Sequence, residues 1–169
     1  MDATILIRAA TAADAGDVAR VYNHYVRETT ITFEEVDVAA ADIARRIGDV
    51  QAAGLPWLVA ERGGAVVGYA YASKWHARTA YRFSVEVTVY VDVAHPRRGV
   101  GSRLYAEMFP MLERKGLHVL IAAIALPNEP SVGLHERFGF APAGRFREIG
   151  FKLGRWVDVG YWQRTLSPG

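Results

Sequence analysis

Between residues 83 and 126 the chain reads without interruption as strand, glycine-bearing turn, helix and strand, and this succession constrains the fold more than any other feature. FSVEVTVYV alternates strictly. Val85, Val87, Val89 and Val91 point one way and Ser84, Glu86, Thr88 and Tyr90 the other, the period of two of a strand. HPRRGVG follows, and then Val100, Leu104, Met108 and Leu112 recur at intervals of four, which predicts a helix over 99–115. Pro110 lies inside that helix and is expected to kink it or shorten its regular part. VLIAAIAL is a continuous apolar run of strand length and predicts a strand buried on both faces.

The flanking segments supply more strands and helices. ATILIR (3–8) reads as a short strand. Thr11 opens an amphipathic helix carrying Val18, Val21, Tyr22 and Tyr25, with Asp14 completing a variant of the capping box. RETTITFEEV reads as an extended loop. A second helix over 38–53 sets Ile43, Ile47 and Val50 on one stripe and stops at Gly54 and Pro56. WLVAERGGAVVGYAYAS is a hairpin around Gly63-Gly64. Late in the chain, NEPSVGLHERFGF predicts a short helix from Asn128 ended by Gly139, and the remainder two or three strands. Without repeats or a linker, the order is β, α, α, strands, then βαβα and a closing hairpin: a mixed α/β sheet in a single domain over residues 1–169.

Composition narrows the chemistry. With no cysteine, disulfides, thiolate metal sites and cysteine nucleophiles are excluded, and a reducing cytoplasm is expected. No apolar run approaches the ~18 residues of a membrane span. The formal charge is +2. Its basic residues are scattered, the longest runs being the pairs Arg45-Arg46 and Arg97-Arg98, which argues against a nucleic-acid binder.

HPRRGVGSRLY has the chemistry of an anion seat. The first amides of a helix lack internal partners and sit at the positive end of its dipole, glycines admit a ligand to the backbone, and arginines reach phosphate oxygens. It is neither a Rossmann fingerprint, since Leu104 stands at the third glycine position, nor a Walker A loop. Read locally, the same residues also suit a basic turn whose glycines serve packing alone.

Taken in order, VYVDVAHP, RRGVGSRL, the apolar strand, Asn128-x-x-Ser131 and LHERFGF resemble the GNAT superfamily of acetyl-CoA-dependent N-acetyltransferases. Phe33-Glu34, Arg78-x-x-Tyr81, VEVTVYV, ALPNEPSVGLHE and GFKLGRWVDVGYWQ extend the resemblance to the phosphinothricin N-acetyltransferase group, over residues 4–166. The resemblance implies a mostly antiparallel central sheet of about seven strands with about four helices. It also implies acetyl-CoA as co-substrate without a metal, and direct transfer to the α-amine of a small amino-acid analogue. Coenzyme A is then expected against Val89, Tyr90 and Val91, the loop Arg97, Arg98, Gly99, Val100, Gly101 and Ser102, and Asn128 and Ser131. Pro96 stands where the family has Gln or Arg, which removes a donor and shifts the pyrophosphate onto the amides of residues 97–102. A homodimer is implied as well, with no nucleic-acid or membrane partner.

Acetyl transfer needs a neutral amine, a stabilised oxyanion and a tolerated leaving thiolate. Glu86, the one carboxylate of its strand, is the candidate base; a solvent-facing strand residue is the ordinary alternative. By resemblance His135 is the candidate acid, with a capping or surface histidine as alternative. For the substrate, Trp75, Arg78 and Tyr81 supply a wall and a carboxylate clamp, an exposed loop arginine being the alternative for Arg78. By resemblance Phe33 is a covering aromatic, and Glu86, Val87 and Thr88 form the strand against which the substrate lies. Lys152, Trp156 and Asp158 match the group's C-terminal pattern and suit an interface or a structural role as well. Another amine (a polyamine, an aminoglycoside or a protein N-terminus) and a non-catalytic acyl-CoA sensor are the competing functions. Residues 72–84 hold Lys74, Arg78 and Arg82 and no carboxylate, which favours an anionic amino acid over a polycation.

Overall fold

The protein is described by a computed structural model that covers residues 4–95 and 99–166. Pro96, Arg97 and Arg98 therefore lie outside the described residues. The strands are β1 (Ile5–Ala9), β2 (Trp57–Arg62), β3 (Ala65–Lys74), β4 (Ser84–Val91), β5 (Val119–Leu126), β6 (Ala141–Lys152) and β7 (Arg155–Thr165). The helices are α1 (Ala15–Glu28), α2 (Ala40–Ala52), α3 (Val100–Arg114) and α4 (Glu129–Arg137). Strands are hydrogen-bonded in the order β1-β2-β3-β4-β5-β7-β6. Neighbours β1/β2, β2/β3, β5/β7 and β6/β7 are antiparallel; β4/β5 is parallel. This is the mixed, mostly antiparallel sheet with four helices that the sequence led us to expect.

The chain divides into two compact units, one of residues 1–23, 38–73 and 87–115, the other of residues 24–37, 74–86 and 116–169. In the first, the helix stripes fill the core: Val18, Val21 and Tyr22 of α1, Ile43 and Ile47 of α2, and Leu104, Tyr105, Met108 and Leu112 of α3 are buried with Val59 and Val67 of the sheet. The α1 start is braced by Asp14, whose carboxylate accepts the Thr11 N–H at 2.8 Å and pairs with Arg8. That brace carries the predicted reciprocal half of a capping box, although a 3-10 turn, Ala12–Asp14, precedes α1. Helix α3 keeps its full length through Pro110, contrary to the expected shortening. Pro110 and Ala106 are exposed, so the carbonyl that loses its N–H partner faces water.

In the second unit, Leu120, Ala122 and Ile124 of β5 are buried with Val157 and Trp162 of β7 and Phe140. The expectation that β5 is buried on both faces is corrected: Val119, Ile121 and Ala125 are half-buried and Ala123 is exposed. On that second face Ile121 lines a cleft, described next, rather than a core.

Candidate active site

Glu86 projects from β4 at the last registered position of the parallel ladder, which runs from Ser84↔Val119 through Val85↔Leu120 to Glu86↔Ile121. Val85 and Val87 on the opposite face are buried, as the alternation requires. Glu86 itself is half-buried, not solvent-facing. Burial lifts its carboxyl above the ordinary glutamate range, with the charge of nearby His76 pulling in the other direction. A carboxylate raised in this way is a better proton acceptor than a free one.

Ile121, opposite Glu86 in the ladder, lines a cleft of about 480 Å³ with Trp75, His76, Phe146, Tyr161 and Gln163. Trp75 and Phe146 both meet Tyr161 edge-on, with ring centroids 5.9 and 5.6 Å away. His76 also lines a second cleft, of about 390 Å³, with Ala77, Arg78 and Tyr81, and its ring lies 5.1 Å from that of Tyr81. The structure thus brings together Trp75, Arg78 and Tyr81 around a residue that sequence reasoning passed over. His76 was in plain view in WHARTAY, but nothing local marks it as the neighbour of Glu86. Phe146 and Tyr161 were missed for the same reason, since they arrive from strands sixty or more residues away.

The other expected residues of β4 divide by face. Val87 is buried, leaving only its main chain for a ligand, whereas Thr88, Val89 and Val91 are half-buried. The Tyr90 ring packs edge-on to Tyr22 at 5.2 Å and tilted to Tyr69 at 5.7 Å, so its side chain belongs to packing.

Gly99 caps the start of α3; its φ of 68° is left-handed, and its missing side chain leaves the first turn without a side-chain cap. That turn carries no carboxylate, and Gly99 brings no Cβ to crowd its amides. Uncapped amides at the positive end of a 15-residue helix, without a competing acid, fit a phosphate-bearing ligand at Val100, Gly101 and Ser102. Beneath them, a Cβ on Gly68 of β3 would stand 2.8 Å from Val100 Cγ1 and 3.2 Å from the Tyr90 carbonyl oxygen. Gly68 therefore lets the start of α3 approach the sheet. The hairpin pattern of WLVAERGGAVVGYAYAS gives no sign of this contact.

Asn128 caps α4, its Oδ1 accepting the Ser131 N–H at 3.3 Å. His135, 3% exposed, donates from Nδ1 to the Ser131 carbonyl at 2.7 Å and meets Phe140 edge-on. A carbonyl only accepts, so the proton sits on Nδ1. Burial pushes the imidazole below its ordinary range, the Ser131 bond opposing. His135 is thus a buried, neutral residue on the inner side of α4.

Phe33, 41% exposed, lies on the loop between α1 and α2, and its ring covers Gly150 of β6. Against β7, β6 loops out residues 147–149, and the Asp158 carboxylate holds the bulge by accepting the Glu148 N–H at 2.7 Å and Arg145 Nε at 2.8 Å. Lys152 is buried and Trp156 exposed. Among the described residues no group of three or more His, Asp or Glu side chains is placed to hold a metal ion, and no helix is long and apolar enough to cross a membrane.

Comparison with known proteins returns one family over most of the chain: the acetyltransferase (GNAT) domain, matched over residues 7–160. The phosphinothricin N-acetyltransferase of Streptomyces viridochromogenes is 45% identical over 164 residues, 95% of this chain and 87% of that protein. The L-methionine sulfoximine/L-methionine sulfone acetyltransferase of Salmonella typhimurium is 34% identical, covering 95% of this chain and 94% of its own. Among solved structures, a GNAT superfamily phosphinothricin acetyltransferase from Sinorhizobium meliloti, in complex with acetyl-CoA, superposes with a TM-score of 0.93 at 37% identity, over 100% of this chain and 91% of that one.

Proposed function

Because this chain belongs to the GNAT acetyltransferase family, we propose that it transfers the acetyl group of acetyl-CoA to the α-amine of a small amino-acid analogue of the phosphinothricin, methionine sulfoximine or methionine sulfone type. The whole chain serves as one acetyltransferase domain. One observation carries the choice of substrate. His76 neighbours Glu86 and lines both the aromatic cleft and the cleft of Arg78 and Tyr81, so that a base, an apolar wall and the Arg78 cation gather around one residue.

Acetyl-CoA supplies an acetyl group already activated as a thioester. The residues that suit it are the amides of Val100, Gly101 and Ser102 for the pyrophosphate, the main chain of Val89, Tyr90 and Val91 for the pantetheine arm, and Asn128 and Ser131 at the start of α4. Arg97 and Arg98 belong to the same expected cradle. On the amine side, Glu86 accepts a proton from the substrate ammonium, directly or through water, so that the nitrogen can form its bond to the acetyl carbon as coenzyme A departs. Arg78 binds the carboxylate as a planar fork. Trp75, Tyr81 and Phe33 enclose the side chain, with the main chain of Val87 and Thr88 beside it. His135 fixes Ser131 and the start of α4. As an acid toward the departing sulfur it acts only through Nε2, and burial works against its protonated form.

A thiol-release assay with acetyl-CoA against L-methionine sulfone, L-methionine sulfoximine, phosphinothricin, unmodified amino acids, polyamines and aminoglycosides tests the assignment. Turnover is expected with the first three; turnover with polyamines alone would sink it. We propose a homodimer as well, supported by β6, which ends the strand order and is exposed along residues 141–149.

A further inference from the structure

Lys152 takes no part in the chemistry above, yet it is a lysine only 2% exposed at the last position of β6. A buried ammonium is costly unless its donors are satisfied. Here Nζ donates to the Thr32 carbonyl at 2.7 Å and to the Tyr25 carbonyl at 3.4 Å. The Tyr25 carbonyl lies in the last turn of α1, where the dipole is negative, and it also accepts from Thr29 Oγ1 at 2.8 Å. Thr32 lies four residues beyond the end of that helix and immediately before Phe33. One cation thus ties the end of α1 to the residue that precedes the Phe33 ring.

Two further contacts act on the same loop. Arg155 donates to Thr30 Oγ1 at 2.9 Å. The Phe33 ring lies so close over Gly150 that a Cβ there would stand 2.4 Å from Cε2 and Cζ. Gly150 and Lys152 are two apart in β6, so the strand that receives the ring also holds the main chain behind it. Glu34 and Glu35 favour the charged form of Lys152, against burial, which lowers its pKa.

We propose that Lys152 is a positioning residue for the amine substrate: its ammonium fixes the main chain at Thr32 so that the Phe33 ring, seated on Gly150, stays in place as one wall of the substrate site. The proposal rests on the reading of Phe33 as a substrate wall. It distinguishes Lys152 from an anchor of the fold, because its effect falls on one Michaelis constant.

The test is steady-state kinetics with L-methionine sulfone and acetyl-CoA on Lys152→Met, Phe33→Ala and the double variant. Methionine keeps the length of the stem and removes every donor. Lys152→Met should raise KM for the sulfone roughly tenfold, the scale of one charge-assisted hydrogen bond, with KM for acetyl-CoA within about twofold. In the Phe33→Ala background it should add little, because the two changes remove one wall. If Phe33→Ala leaves the sulfone KM unchanged, the reading of Phe33 fails and the proposal with it. If Phe33→Ala raises that KM but Lys152→Met lowers only the thermal midpoint, or if the two effects multiply, the proposal alone is overturned. Gly150→Ala displaces the ring without touching the ammonium and should reproduce the rise in sulfone KM. An unchanged KM there overturns the proposal even if Lys152→Met does not fold.

Discussion

In the proposed role of Glu86 as base, stability and catalysis pull in opposite directions. Its folded-state pKa lies above that of a free glutamate because of burial, so between the two values the folded chain binds more protons than the unfolded one. Its contribution to stability therefore falls as pH rises through that window. Glu86→Gln removes this effect and should raise the thermal midpoint at pH 7; at a pH below both values the difference should disappear. The same variant should lower kcat by roughly 10²-fold, within the range for loss of a general base. The acid limb of the kcat/KM profile, set above the ordinary glutamate range in the parent, should vanish with it, and an unchanged profile would remove Glu86 from the role. Arg78 makes a different prediction. It is exposed beside the cleft of His76 and Tyr81, so Arg78→Ala should cost little stability. It should raise KM for substrates with a free α-carboxylate, and spare their decarboxylated amines. An equal effect on both would argue against the clamp.

At the scale of elements, the start of α3 depends on how closely it can approach the sheet. A Cβ at Gly68 would stand 2.8 Å from Val100 Cγ1 and 3.2 Å from a backbone oxygen of β4, and the backbone cannot rotate aside as a side chain tip can. Gly68→Ala should therefore push the first turn of α3 outward and raise KM for acetyl-CoA more than KM for the amine. A change confined to the amine would show that the α3 amides do not hold the coenzyme. Gly68 also marks where sequence reading stops. The alternation of β4, the four-residue stripe of α3 and the cap of α4 are local patterns, and each was legible because neighbouring residues carry it. The contacts of Gly68 with Val100, Gly150 with Phe33 and Lys152 with Thr32 join residues 32, 117 and 120 positions apart, and no local pattern records them. Strand β5 shows the converse limit: an apolar run suits a core and an apolar cleft alike, and only the fold distinguishes them.

At the scale of the whole molecule, the β6–β7 hairpin is the surface that suits the proposed homodimer. Edge strands invite pairing, and chains commonly blunt them with charge, proline or a short length. Strand β6 is twelve residues long and exposed from Ala141 to Ile149. Pro142, the charges of Arg145, Arg147 and Glu148 and the bulge at 147–149 blunt it against strand pairing, so a partner would meet its side chains. Its hairpin displays Phe146, Ile149, Phe151, Leu153 and Trp156, with Ile149 60% and Trp156 63% exposed. Isolated apolar residues on a surface are ordinary, but five large ones on one hairpin are the composition of an interface centre. With Arg145 and Asp158 paired beside them, the polar rim of such a patch is already present. A second copy of the chain meeting this hairpin would bury those side chains in the proposed homodimer. Sedimentation at micromolar concentration should then give twice the monomer mass of 18.6 kDa. Trp156→Glu, which places a charge in the exposed cluster without disturbing a buried residue, should shift the equilibrium to monomer by tenfold or more in the dissociation constant, as expected for an aromatic anchor. A parent chain that sediments as a monomer at every concentration would exclude the dimer. A dimer indifferent to Trp156→Glu would place its interface elsewhere on the molecule.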